Sequence, residues 1–457
     1  MTQSLTVLDP ADGSIVGTVP VAGAAEVGEA VALARKAFAG WSRTAPGDRG
    51  AALAAAADRV AAVADELALL TTREMGKPLC DARGGVAAGI GTLRQYAELG
   101  PLHRGKSLQG GWGSTDLMVH EPRGVVAVVT PWNDPVAVPC GLIGAAVVTG
   151  NPVVFKPSER TPHTGLALAE AMAQALPPGV LTVLTGGSET GAALCSSQVD
   201  VIAHVGSSTA GQAIRSAAAG SGAKVVLENG GNDPLIVDRD VDPVWAATQA
   251  ALGAFANAGQ ICVSVERIYV VEEIAGAFID ALVRRAGELV LGPGTDDRTT
   301  LGPLVDERHR RAVHAQVADA VQQGAHALTG GRIPDGPGTF YPATVLTGCT
   351  DAMVVMREET FGPVAPIRVV PSFEAALEAA SGSPYGLAAS VLTASMAHAQ
   401  DAWRTLPVGT VKVNAVFGGA PGGAAEPRRA SGSGFGYGPE LLDEMSTTKV
   451  VHLSSPP

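Results

Sequence analysis

Basic charge is in short supply. The 457 residues hold 32 Lys and Arg against 44 Asp and Glu, a net charge of −12, so the surface repels phosphate backbones and anionic headgroups. Neither nucleic acid nor a membrane is expected as a partner. Cysteine is sparse too: five, at positions 80, 140, 195, 262 and 349, an odd set without a CxxC pair. That set fits neither a disulfide framework nor a zinc site. No metal is expected, and a reducing cytoplasm is the natural location. Long apolar runs are missing as well. Residues 135–155 carry no charge, but three prolines and a "TGN" break leave no continuous span of the roughly 20 residues a bilayer crossing needs. They read as a buried helix, a turn and a strand. The start, "MTQSLTVLDPADG", lacks a basic patch followed by an apolar stretch, so no targeting signal is expected.

What is present describes a globular protein. Hydrophobic residues make up 46% and charged ones only 17%, enough for an extensive interior, and the length calls for two or three domains. Residues 26–39 and 48–73 show the apolar spacing and Ala richness of amphipathic helices, the second opening at "PGDR". Together they form an all-helical preface. From residue 124 short β-branched segments alternate with helical ones: "GVVAVVT", "PVVFK", "VLTVLT", "VIAHVG" and "KVVLE" separated by Ala-rich stretches. Such strands, apolar on both faces, form a parallel sheet covered by helices, a doubly wound Rossmann-like α/β domain. A second αβ series from "DPVWAATQAALGAFANAG" to "GTVKVN" repeats the architecture without the sequence and reads as a second α/β domain. The Gly-Pro-rich tract at 330–338 reads as a surface loop. The expected division is 1–104 with 123–230 for the first domain and 231–430 for the second. Residues 105–122 and 446–457 belong to neither, and as detached strand-like pieces they are expected to form a small β oligomerisation arm.

In such sheets a ligand sits beyond the carboxyl ends of the strands. "TPWND" places Asn133 there, and "FKPSE" places Lys156 and Glu159 before a helix capped by Thr161 with Pro162 in its first turn. "HVGSSTAG" opens a helix at Ser207, whose free amides suit a phosphate, although a plain cap needs no ligand. "LENGGNDP" puts Glu228 at a strand end, either solvated at the rim or held over the crevice, before two glycines that let another group approach. "NAGQICVS" presents Cys262 at what reads as the first residue of a strand. It is either an inert small residue or a nucleophile. A thiolate to attack, a glutamate to activate water and an amide to donate to an oxyanion make a plausible acyl-transfer set.

Taken in order, "TPWN", "GNPVVFKPSERTP", "LPPGVLTVLTG", "VGSSTAGQAI", "LENGG", "FANAGQICVSVERIYV", "LGPLV", "EETFGPV", "YGLAASV", "GTVKVN" and "SGSGFGYG" run nearly the length of the chain. In this the sequence resembles the NAD(P)-dependent aldehyde dehydrogenase superfamily. The resemblance implies an enzyme that oxidises an aldehyde to a carboxylic acid, with Cys262 as nucleophile, Asn133 as oxyanion donor and Glu228 as the base for hydrolysis. Lys156 joins the catalytic set and, with Glu159, matches the pair that holds the adenosine ribose. Trp132, Ser158, Gly206, Ser207 and Gly230 fall among the cofactor contacts, with Glu359 on the nicotinamide ribose and Phe361 beside the nicotinamide ring. A homodimer or homotetramer is implied. Glu159 beside the ribose accepts from two hydroxyls and repels a 2′-phosphate, so NAD is expected over NADP.

Departures from the family pattern bear on the substrate. Asn229 stands in "LENGG" where "LELGG" is common, Asp134 in "PWNDP" where an aromatic is common, and "AAEPRRASGSG" adds Arg428 and Arg429 while removing another aromatic. A tunnel with fewer aromatics favours a small or polar aldehyde. Asp134, Glu266, Arg428 and Arg429 are the candidate substrate contacts, or they are paired within the protein. The alternatives are a CoA-acylating relative and a catalytically silent, ligand-binding relative.

Overall fold

β-branched segments alternating with Ala-rich helices produce two sheets in the computed structural model, which describes residues 3–419 and 423–456. The six-stranded sheet has the order Gly432–Ser433, Lys224–Glu228, Val201–Val205, Val126–Val129, Val153–Lys156 and Leu181–Val183. All its neighbours are parallel except Gly432–Ser433, which runs antiparallel to Lys224–Glu228. Period-two alternation feeds both faces. Val126 and Val128 pack with Leu53, Leu93 and Ile143 on one side, while Val125 and Ala127 pack with Val27, Leu194 and Ile214 on the other. Each such side chain contributes about 1.5–3 kcal/mol by leaving water. The charge-free stretch forms the helix Ala137–Val148 and the strand Val153–Lys156.

The seven-stranded sheet has the order His326–Thr329, Thr344–Thr347, Val364–Val370, Val265–Val271, Asp233–Val237, Ala388–Leu392 and Thr410–Val413. Only His326–Thr329 runs antiparallel to its neighbour. The chain passes from Glu228, the last residue of one sheet's strand, to Asp233, the first of the other's, through Asn229–Asn232. The carboxyl edge of the first sheet therefore meets the amino edge of the second.

A third sheet joins Ser446–Ser454, Ser114–Pro122 and Lys106–Leu108, all antiparallel. The outer edge of Ser446–Ser454 pairs with no strand among the described residues. No helix among the described residues is long and apolar enough to cross a membrane.

The N-terminal part differs from the sequence reading in three ways. A hairpin of Ser4–Leu8 and Ile15–Pro20 precedes the helices, its strands too short and polar to stand out. The single helix expected over 48–73 is two, Pro46–Ala62 and Ala64–Met75, because Val63 leaves helical geometry (φ −114°, ψ 20°). The apolar stripe runs on across that break and hides it. A further helix, Leu79–Leu99, carries glycines that lower its intrinsic propensity. One of them, Gly89, permits close packing, since a Cβ there would lie 3.1 Å from Cys140 Sγ.

Candidate active site

Cys262 lies in a turn, three residues before the strand that begins at Val265; it is not the strand's first residue. Asn257 (φ 49°), Ala258 (φ 55°) and Gly259 (φ 71°) are successive left-handed residues just ahead of it. A Cβ at Gly259 would overlap the Gly362 carbonyl, so the turn seats directly on the 359–363 loop. The Gln260 carbonyl accepts from Asn133 Nδ2 and Asn257 Nδ2, both at 3.0 Å. The Gln260 side chain bridges the Asn257 carbonyl (3.0 Å) and the Val305 amide (2.9 Å). Asn133, arriving from the end of the strand Val126–Val129, is thus fixed to the backbone two residues before Cys262.

Cys262 is partly accessible, yet its thiol is pushed up to about 12, first by burial and then by the charges of Glu228, Asp233 and Glu359. Burial raises Glu228 to about 8 against the opposing Gly436 amide, which donates to Oε1 at 3.3 Å. Gly436 packs so closely on Glu228 that a Cβ has no room. Glu359 also rises to about 8, by burial and by Glu266, and accepts the Gly231 amide at 3.0 Å. Asp233 is 4% exposed and burial holds its carboxyl well above the usual range. Its Oδ1 accepts the Ala388 amide at 3.1 Å, while Oδ2 is buried with no partner among the described residues. Near neutral pH the sulfur, Glu228 and Glu359 are mostly protonated.

The expected cofactor residues gather at the carboxyl edge of the first sheet. Lys156 is buried, its ammonium lowered by desolvation, and donates to the carbonyls of Pro157 (2.7 Å) and Gly186 (2.9 Å). Ser158 accepts the Arg160 amide at 3.2 Å. Glu159 is half-buried on the wall of a cavity of about 580 Å³. Ser207 caps the helix Ser208–Ser221 by accepting the Ala210 amide at 3.2 Å. Beside it Ser208 Oγ and His204 Nε2 are buried without a partner among the described residues, and Gly206 lies against the His204 ring with no space for a side chain. Unused polar atoms at a helix start fit a pyrophosphate. Gly230 lies equally close to the Glu359 carboxylate. Trp132 meets Phe361 edge to face at 5.4 Å and His309 at 5.6 Å, an aromatic cluster that fixes the Phe361 ring.

The candidate substrate contacts are placed differently. Glu266 is 3% exposed, and its two oxygens accept the amides of Thr360 (2.8 Å) and Phe361 (2.9 Å). It shapes the 359–361 loop instead of lining an opening. Asp134 lies 3.8 Å from Lys77. Arg428 is exposed and its amide donates to the Gly386 carbonyl at 3.0 Å. The Arg429 guanidinium donates to the carbonyls of Ser381 and Ser383. Asn229 donates to the Ala430 carbonyl at 3.0 Å. Thr161 stands at the expected cap position but its side chain does not cap. Glu74 does so from another helix, accepting the amides of His163 (2.9 Å) and Thr164 (2.8 Å).

Sequence reasoning missed several residues of the site. Arg160 pairs with Asp306 at 2.9 Å and lies 5.2 Å over the Trp132 ring. His309 Nε2 lies 2.7 Å from the Phe361 carbonyl. As that partner is a carbonyl, Nε2 carries the proton. Ser431 donates to the Gly230 carbonyl at 2.8 Å. Only Arg160 has a local signal that could have found it, its place after Glu159; the others have none.

Residues 1–451 match the model of the aldehyde dehydrogenase family. The chain is 38% identical over 460 residues to a mitochondrial succinate-semialdehyde dehydrogenase of Arabidopsis thaliana, covering 99% of this chain and 86% of that one. The solved succinate-semialdehyde dehydrogenase of Burkholderia pseudomallei superposes with a TM-score of 0.96 at 34% identity, over 99% of this chain and 95% of that one. Betaine aldehyde dehydrogenase of Staphylococcus aureus, solved in complex with NAD+, gives a TM-score of 0.96 at 30% identity, over 100% and 92%.

Proposed function

The chain belongs to the aldehyde dehydrogenase family, and from that premise we propose that it oxidises a small, polar aldehyde to the carboxylic acid with NAD, through a thioester on Cys262. The observation that carries the reading is the convergence of Cys262, Glu228 and Asn133 from three separate segments. The thiol must first lose its proton, and since Glu228 and Glu359 beside it are mostly protonated near neutral pH, that proton goes to solvent hydroxide. Sulfur then adds to the aldehyde carbon. One amide hydrogen of Asn133 is committed to Gln260, which leaves the second, with the Cys262 backbone N–H, for the developing oxyanion. The dinucleotide, when bound, accepts hydride from that carbon. Glu228 as base then directs water onto the thioester, releasing the acid and restoring the thiol.

Trp132, Lys156, Ser158, Glu159, Gly206, Ser207, Gly230, Glu359 and Phe361 form the dinucleotide site. Glu159, on an open cavity wall, disfavours a 2′-phosphate. The relatives act on semialdehydes and on betaine aldehyde, all polar, in keeping with a polar substrate here. Domains over 1–104 with 123–230 and over 231–430 supply the two halves of the crevice. The arm of residues 105–122 and 446–457 pairs with another copy in a homodimer or homotetramer. Val450 and Leu453 on it are 66% and 56% exposed, apolar surface that a second copy would cover. Five free cysteines accord with a reducing cytoplasm.

NADH formation across carboxylated, hydroxylated, amino, aromatic and aliphatic aldehydes, without CoA and with NADP alongside, tests the reading. Turnover of a polar class without CoA supports it. Turnover only with CoA assigns acyl transfer instead, and silence throughout leaves a ligand-binding relative.

A further inference from the structure

The chain has seven lysines. Lys77, Lys224 and Lys449 form ion pairs, Lys156 donates to two carbonyls, and Lys36 and Lys106 are exposed. Lys412 alone is half-buried with no ion pair or hydrogen bond among the described residues. It sits in the strand Thr410–Val413, where Val411 packs on the core of the second sheet, so alternation turns Lys412 to the opposite face.

Strand register sets Lys412 on the same face as Asp233, which adjoins the turn that carries Cys262. Ser390 is the partner of both Lys412 and Leu235, and Asp233 lies two residues before Leu235 on the same side. The intervening strand offers only Ala388 and Ser390 there, leaving room for a long side chain. The Asp233 carboxylate and the Cys262 backbone flank one glycine: a Cβ on Gly231 would lie 2.6 Å from Asp233 Oδ1 and 2.9 Å from the Cys262 oxygen. Burial lowers the Lys412 ammonium, while Asp233 and Cys262 are the groups that support it. The cation and the partnerless Asp233 oxygen thus lie within charge range of Cys262, with no hydrogen bond between them among the described residues.

We propose that Lys412 determines specificity, its ammonium receiving a carboxylate carried by the aldehyde that Cys262 attacks. The proposal rests on Cys262 being the nucleophile. A desolvated ammonium without a partner is costly, and a ligand carboxylate supplies the missing charge. Burial disfavours the charged form of the neighbouring carboxyls, so Lys412 is the cation available to a substrate carboxylate beside Cys262. Arg428 and Arg429, the arginines a sequence reading favours for this task, are directed elsewhere.

Two alkylating reagents of nearly equal size, iodoacetate and iodoacetamide, differ in the charge that Lys412 would read. The test measures the ratio of their rates at Cys262, followed by mass spectrometry of the Cys262 peptide in the full-length protein. In Lys412→Met the iodoacetate-to-iodoacetamide ratio should fall about tenfold, and Lys412→Arg should keep most of it. In parallel, Lys412→Met should raise KM for a carboxylated four-carbon aldehyde about tenfold while leaving an uncharged four-carbon aldehyde unchanged. An unaltered ratio, or equal slowing with both reagents, overturns the proposal; equal slowing would make Lys412 a general thiolate stabiliser. The ratio needs no turnover. If no aldehyde is oxidised, the dehydrogenase reading fails while the alkylation ratio still decides the role of Lys412.

Discussion

Glu266 holds Phe361 in place: its Oε1 accepts the Phe361 amide at 2.9 Å, at a residue whose φ of 52° is left-handed. The same carboxylate accepts the Thr360 amide at 2.8 Å, one residue from Glu359, so a single buried side chain sets the loop that bears two of the proposed cofactor contacts. Burial raises Glu266 to about 7, and the two amides oppose that rise.

Glu266→Gln puts an NH2 against one of these amides and leaves a buried donor unpaired, a cost of about 1–3 kcal/mol. The expected outcome is a lower Tm and a KM for NAD raised about tenfold, with the Cys262 alkylation rate unchanged. Thermal melts and steady-state kinetics check it. A variant with native Tm and native KM would mean the loop is held by other contacts.

The raised thiol predicts a slow nucleophile in the free protein. With Cys262 pushed up to about 12, thiolate is scarce at neutral pH and grows with every unit of pH. Iodoacetamide labelling of Cys262 should climb from pH 7 to about pH 10 without levelling off. Glu359→Gln removes one of the three charges that raise the thiol and should make labelling faster at the alkaline end. A plateau near neutral pH would show that the free protein already holds a thiolate.

Glu228 has a folded value of about 8 against an ordinary 4.5. As the hydrolytic base it works only when deprotonated, so steady-state turnover should rise as pH passes through 8. The sign for stability is the reverse. A carboxyl whose folded pKa is raised binds its proton more tightly in the native state. Its penalty is therefore absent below 4.5 and grows as pH rises to 8. Glu228→Gln should flatten that part of the Tm profile. It should also keep a rapid burst of NADH while lowering steady-state turnover by about 10²-fold or more, since acylation does not need this base. Loss of the burst together with the steady state would place Glu228 in an earlier step.

The turn ahead of Cys262, the strand-end position of Glu228 and the Rossmann-like alternation were legible in the sequence because each depends on local pattern. "NAGQIC" announces a tight turn, and "KVVLE" followed by two glycines announces a strand meeting a crevice. Glu74 was not legible, since it caps a helix 89 residues away. Nor was the fate of Asp134 or Arg429, whose partners Lys77 and Ser383 come from distant segments. Glu266 follows the catalytic turn as if it faced the substrate, but at the start of a central strand its side chain is enclosed and reaches backbone instead. Charge near a nucleophile reveals proximity in sequence, whereas direction is set by packing.

The proposed preference for NAD rests on Glu159, half-buried on the wall of a cavity of about 580 Å³ that Arg160 and Arg308 also line. In that proposal its carboxylate would accept ribose hydroxyls and repel a 2′-phosphate, a like-charge contact worth about 1–4 kcal/mol at 4 Å in water or near a protein surface. Glu159→Ser removes that repulsion and leaves the two arginines nearby to attract the phosphate. The expected result is a gain of about tenfold or more in kcat/KM for NADP, with a loss for NAD, read from parallel kinetics at fixed ionic strength. Raising the salt should narrow the wild-type preference by screening the same repulsion. If the variant gains nothing with NADP while losing NAD, Glu159 binds the ribose but does not exclude the phosphate, and the preference must come from the shape of the pocket.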